Sequence, residues 1–147
     1  MSINWLSLIF AAIIPLAVGF IWYNEKVFGK AWMESTGIKK EDAQKANMMM
    51  MFGVSFVMFL LLAWFLIYNV DGPGQEGEYD SFKHGAYHGV LLAILVAMPV
   101  MVVNSLFEMK KWKYMLINIG YWLVSMILMA GVIDAMNHMT DDMWPKG

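Results

Sequence analysis

The chain has no cysteine and no arginine, and only 15% of its 147 residues are charged. Without cysteine there is no disulfide framework of the kind that staples small secreted modules, and no thiol nucleophile. With ten lysines but no arginine, and a formal net charge of -2, it lacks the basic face by which proteins hold nucleic acid. Soluble domains average about a quarter charged residues. A chain this short has too much surface for its volume to hide so many apolar side chains from water. An ordinary cytosolic enzyme is therefore excluded, and so is a disordered tail. What the chain does have is 60% hydrophobic residues, including 16 Met and 7 Trp. That composition describes a small integral membrane protein.

The first apolar run, Ile3 to Tyr23, carries no charge along its length. At about 1.5 Å per residue it spans roughly 30 Å, the thickness of a hydrocarbon core. No lysine precedes Lys26, so the run reads as a span and not as a signal peptide, which needs a basic leading region. Pro15 lies inside it as a kink candidate. Further runs cover Met48 to Val70, about Gly85 to Phe107 with Pro99 inside, and about Tyr114 to Met136. Helix formers across Lys39 to Asn47 predict a water-exposed extension of the second helix. The second connection, Asp71 to Asp80, is turn chemistry throughout. The third, Glu108 to Lys113, is short, which makes the last two helices antiparallel neighbours. The expected fold is all-α, a single four-helix transmembrane bundle over residues 1–147.

Orientation follows from lysine placement. The first and third connections hold Lys26, Lys30, Lys39, Lys40, Lys45, Lys110, Lys111 and Lys113, whereas the opposite side has only Lys83 and Lys146. Basic loops stay in the cytoplasm, so both termini are expected outside. The acidic residues Asp71, Glu76, Glu78, Asp80, Asp141 and Asp142 then face outward as well.

The segment Gly19-Phe-Ile-Trp-Tyr-Asn-Glu-Lys-Val-Phe-Gly-Lys-Ala-Trp-Met33 contains Trp22-Tyr23 closing the first span, then Phe28-Gly29-Lys30 and Trp32-Met33. Gly37, the pair Glu41-Asp42, and Ile117-Asn-Ile-Gly-Tyr121 follow downstream. In these features the chain resembles the bacterial and fungal membrane-protein family known as domain of unknown function 1761. Members usually carry Pro two residues after the Tyr, where this chain has Glu25. The resemblance implies a four-span bundle resident in a membrane and carries no activity with it. Together with the charge bias it implies a bacterial inner (cytoplasmic) membrane.

The same segment has a plain physical reading. Trp22, Tyr23, Phe28 and Trp32, with Lys30, stand where aromatic rings and lysines anchor a protein at the membrane interface. At the opposite end lies a polar cluster. With the third connection centred near Lys111, His88 comes level with Asp134, His84 with His138, and Asn104 with Asn118. His84 and His88 are spaced i, i+4, as are Asp134 and His138, so each pair shares a helix face. His84, His88, Asp134 and His138 would suit a divalent metal such as zinc, and Met136, Met139 and Met143 would add thioethers that favour Cu(I). A hydrogen-bonded structural cap and a proton relay are the other readings of this cluster. Asn104 and Asn118 are expected to hydrogen-bond across the hairpin. Gly85-x-x-x-Gly89 offers a packing or oligomer face.

No Ser-His-Asp triad or phosphate loop occurs at usable spacing, and no catalytic residue is assigned. The leading reading is a non-catalytic structural or accessory subunit, embedded in lipid as a homo-oligomer or beside another membrane protein. The alternatives are an outward-facing metal-binding protein and a small membrane enzyme acting on a lipid-soluble substrate. The last resembles four-span glutathione-using enzymes in size and topology alone, and those hold their cofactor with arginines.

Overall fold

The computed structural model describes residues 3–70 and 81–143, with side chains through Asn137. The turn-rich second connection and the His138 side chain therefore lie outside the described residues. Within them the fold is all-helical, in the order α1 (Trp5–Trp22), α2 (Gly29–Thr36), α3 (Lys40–Lys45), α4 (Met48–Val70), α5 (Phe82–Leu92), a π-helical turn (Ala93–Ala97), α6 (Met98–Phe107) and α7 (Trp112–Met143). Four helical spans are long and apolar enough to cross a membrane: Trp5–Trp22, Met48–Val70, Phe82–Phe107 and Trp112–Asn137. They alternate in direction, giving the bundle a lysine-rich end and a histidine end.

Side-chain caps set where the helices start. Asn4 accepts from the backbone N–H groups of Leu6 and Ser7, both at 3.1 Å, and so begins α1. Its amide also donates to the carbonyl of Met136 at 3.4 Å, tying the start of α1 to α7. Ser81 begins α5 by accepting from the His84 N–H at 3.2 Å. Gly37, in the left-handed region at φ 74°, closes α2 with its N–H on the Met33 carbonyl.

The expected extension of the second helix is instead a separate element. Ala46 is extended, and Asn47 accepts from the Met50 N–H at 3.0 Å, capping α4 where a continuous helix would have run on. The two prolines behave differently. Pro15 is buried inside a helix that runs unbroken from Trp5 to Trp22. Before Pro99 the helix widens into the π turn, in which the Met98 N–H reaches back to the Ala93 carbonyl. Proline lacks an N–H and its ring crowds the preceding turn, and a π turn relieves both faults.

Helix α7 is the hub, packing against α1, α4, α5 and α2. Leu8, Ala11, Ala63, Leu66, Ile67, Val70, Met129, Ala130 and Ile133 form the core shared by α1, α4 and α7. On the remaining side α5 comes closest. A Cβ at Gly85 would sit 2.2 Å from the Ala130 carbonyl oxygen, and one at Gly89 would sit 2.4 Å from that of Met126. The glycine pair is thus spent inside the chain, against α7, and is not an oligomer face. Small residues at helix contacts are the usual means of close packing in membranes, where lipid tails remove the hydrophobic drive between helices.

Gly85→Ala is expected to lower stability by about 1–3 kcal/mol, because the backbone it meets cannot yield. Gly53→Ala, where the added carbon meets nothing within 4 Å, is expected to gain up to about 1 kcal/mol from helix propensity. Thermal unfolding of both variants in one detergent checks the contrast.

Candidate functional site

The tight α5–α7 contact decides what happens one residue before Gly85. His84 is carried onto Asp134, with its Nδ1 at 2.9 Å from Asp134 Oδ2. Asp134 is only 1% exposed, whereas the His84 side chain keeps 25% of its surface open. Across the i, i+4 spacing, His84 Nε2 faces His88 Nε2 at 3.3 Å. The rings meet edge to face, their centroids 4.7 Å apart. On its far side the Nδ1 of His88 donates to Asn69 Oδ1 at 3.0 Å. The result is a chain, Asp134–His84–His88–Asn69, joining α7, α5 and α4 at the histidine end.

This geometry bears on two expectations and adds one residue. His84, not His88, lies level with Asp134. The third connection is centred one to two residues earlier than Lys111, since α6 ends at Phe107 and α7 starts at Trp112. The π turn takes up a further residue, and together these move the register by about one helical turn. Secondly, Asp134 Oδ2 holds the His84 ring and is engaged as a hydrogen-bond acceptor. Among the described residues no group of three or more His, Asp or Glu side chains surrounds a common ion position. Thirdly, Asn69 belongs to the cluster although it was not anticipated. Its signal was a polar residue one position from the end of the second span, at the same depth as the histidines.

The lysine-rich end is built from the aromatic segment. Trp22 donates its indole N–H to the Ile117 carbonyl at 3.0 Å, and the Tyr23 hydroxyl donates to Asn118 Oδ1 at 2.6 Å. Tyr121 donates to the Pro15 carbonyl at 2.9 Å. Tyr23 packs against Trp32 and Tyr121, with ring centroids 5.5 and 5.3 Å away. Trp22 lies 4.6 Å from Phe28 and covers Gly120, where a Cβ would come within 2.7 Å of the indole. Gly29 lets the chain fold back over the Tyr23 carbonyl, 2.1 Å from where a Cβ would stand.

Trp22, Tyr23 and Trp32 therefore clasp α1 and α2 to α7, with the polar atoms of Trp22 and Tyr23 spent on protein and the Trp32 ring packed on Tyr23. Phe28 and Lys30 remain exposed at the boundary. The anticipated Asn104–Asn118 contact does not form. Asn118 is taken by Tyr23, while Asn104 lies on an exposed face of α6. Burial, reinforced by neighbouring Tyr121 and Tyr114, pushes the Tyr23 hydroxyl well above the usual phenol range. The Lys113–Glu34 pair at 3.6 Å is exposed on both sides and contributes little.

Four spans, a buried carboxylate–imidazole chain at one end and an aromatic clasp at the other define a small polytopic helical membrane protein. The family model described as protein of unknown function (DUF1761) matches residues 6–133, and the chain belongs to that family. Searches of curated proteins and of solved structures give no match. The matched range takes in the clasp and nearly all of the polar chain, reaching the residue before Asp134.

Two outcomes follow from these contacts. His84→Leu is expected to cost about 3–5 kcal/mol, because it takes the imidazole partner away from a buried carboxylate, and adding Asp134→Leu is expected to restore most of that loss. A double-mutant cycle on thermal unfolding measures the coupling. At the other end, the raised Tyr23 value makes stability complete below about pH 10 and declining above it, because the unfolded chain gives up its phenol proton first. Tyr23→Phe is expected to flatten part of that alkaline decline, as followed by circular dichroism.

Proposed function

We propose that the protein is a non-catalytic structural or accessory subunit of a bacterial inner membrane, with the lysine-rich end in the cytoplasm and both termini outside. The lysine distribution supports the orientation. The observation that carries the subunit reading is the unequal burial of the spans. Of the most apolar window in the fourth span 44% is buried within the chain, against 11% in the third. Beyond the π turn, α6 has little contact with α7. It presents Val100, Val103, Leu106 and Phe107 outward, with Asn104 among them. A polar amide on an otherwise apolar helix face gains about 1 kcal/mol when a second transmembrane helix supplies a partner. The occupant we favour is a second copy of this chain, pairing the two α6 helices through their Asn104 side chains.

The absence of cysteine makes the test direct. Val103→Cys, oxidised in native membranes, is expected to give a discrete species of twice the chain mass, whereas Val54→Cys on the exposed side of α4 is expected to stay monomeric. No cross-link at Val103, Leu106 or Phe107 would remove the self-association reading. Impermeant maleimide applied from outside the cell is expected to label Lys83→Cys and spare Ser35→Cys; the reverse pattern would invert the topology.

A further inference from the structure

Trp22 and Tyr23 stand where a span meets the headgroups, yet both turn their polar atoms inward, onto Ile117 and Asn118. Contact with headgroups therefore passes to the residues beside them. There the chain forms an open cleft of about 520 Å³, lined by Gly19, Phe20, Tyr23, Asn24, Glu25 and Lys26. That volume lies within the range of about 300–1,000 Å³ typical of ligand clefts. Gly19 and Phe20 belong to the last turn of α1, with Gly19 roughly 5 Å below the helix end. Lys26 lies in the turn that follows. The cleft has an apolar floor inside the span and a polar rim just beyond it.

We propose that this cleft binds one anionic phospholipid, with its phosphate at Lys26 and the start of its acyl chains along Phe20. Phe20 is 80% exposed, an open ring on a helix whose other side packs on α4 and α7. The rim is cationic in spite of its acid. Glu25 is held by Lys40 of α3 in an ion pair, and among the described residues no carboxylate pairs with Lys26. Asn24 Oδ1 accepts the Lys26 N–H at 3.0 Å, and the NH2 of the same carboxamide is a donor suited to a phosphate oxygen.

Charge around the cleft favours an anionic over a zwitterionic headgroup. The lysine-rich end carries eight lysines against Glu25, Glu34, Glu41, Asp42 and Glu108. Of those acids, Glu25 and Glu34 are already paired, with Lys40 and Lys113. One lysine close to anionic lipid strengthens binding about five-fold, and the effect fades within a Debye length. The loop is also held in shape before any lipid arrives. The Phe28 N–H bonds the Trp22 carbonyl at 3.1 Å, and the N–H groups of Val27 and Gly29 share the Asn24 carbonyl, both at 2.9 Å. A turn fixed in this way gives up little freedom on binding. The cleft lies within one chain, so lipid binding does not depend on the subunit reading.

The test uses full-length protein, delipidated in detergent and titrated with phosphatidylglycerol or phosphatidylcholine of the same acyl chains. Native mass spectrometry counts the bound lipid on the native sequence and on Lys26→Ala, Glu25→Gln, Phe20→Ala and Lys45→Ala. The last removes an exposed lysine of α3 outside the cleft. Melting curves confirm that each variant is folded, and Lys26→Gln replaces Lys26→Ala if the latter is not. The expected result is one phosphatidylglycerol per chain, held about five-fold more tightly than phosphatidylcholine. Lys26→Ala abolishes that preference, Glu25→Gln increases it, Phe20→Ala weakens both lipids alike, and Lys45→Ala changes neither. Equal binding of the two lipids by the native chain overturns the proposal. So does a loss of preference in Lys45→Ala matching that in Lys26→Ala, which would assign the effect to the diffuse charge of the whole end. A further arm adds glycerol 3-phosphate, a phosphate ester without acyl chains, which is expected to leave the bound lipid in place. Displacement at concentrations comparable to the lipid would assign the cleft to a soluble phosphate ester and overturn the lipid.

Discussion

The approach of α5 to the backbone of α7 is the contact on which the histidine end depends. In water, apolar side chains would drive two helices together from a distance. In lipid that drive is gone, and cohesion comes from packing and from polar contacts that lipid cannot satisfy. Gly85 and Gly89 supply the packing by letting α5 lie against the Ala130 and Met126 carbonyls. The polar contact follows from it, since His84 is the neighbour of Gly85 and meets Asp134 only because the helices are this close. A carboxylate at 1% exposure is costly unless something pairs with it. Packing and pairing therefore support each other, and the chain onward through His88 to Asn69 brings α4 into the same arrangement.

The other end solves a related problem with aromatic rings. Trp22 and Tyr23 close the first span at the depth where such residues usually meet headgroups, yet their polar atoms bond Ile117 and Asn118. Each hydrogen bond is worth about 1 kcal/mol or less in a membrane. Their joint effect is geometric: they fix where α1 ends relative to α7 and turn the chain sharply at Gly29 into α2. This aromatic segment, which lies inside the range matched to the family, is in this sense a joint between the first and last spans. The two ends of α7 are thus held by different chemistry, a hydrogen-bonded carboxylate–imidazole chain at one and an aromatic clasp at the other, while the middle is apolar core.

That division bears on function. Tyr23, Trp22 and Tyr121 are committed to holding helices, which suits a protein whose work is done by its surface. The third span divides the same way: its α5 half is bound into the bundle, and its α6 half turns outward past the π turn.

Several features could be read before any coordinates. Four spans of about the observed lengths follow from uninterrupted apolar runs, because bilayer thickness sets a length that each segment meets alone. The break between α3 and α4 was also available in Asn47, a capping residue immediately before the methionine run. His84, His88 and Asp134 could be grouped because helix periodicity alone puts i and i+4 on one face. Pairing was another matter. Which histidine meets Asp134 depends on where the α6–α7 turn is centred and on a π turn before Pro99, and an error of one turn exchanges the partners. Asn69 enters from a different helix, and its rotation toward His88 is set by how α4 seats on α7. Likewise, whether Trp22 and Tyr23 face lipid or Asn118 depends on the path of the chain after Gly29. Local sequence thus determined the spans, their ends and the kinds of polar group at each depth, because these answer to solvent and helix geometry one segment at a time. Tertiary structure decided the partners, because rotation and register between helices are settled only when their backbones meet.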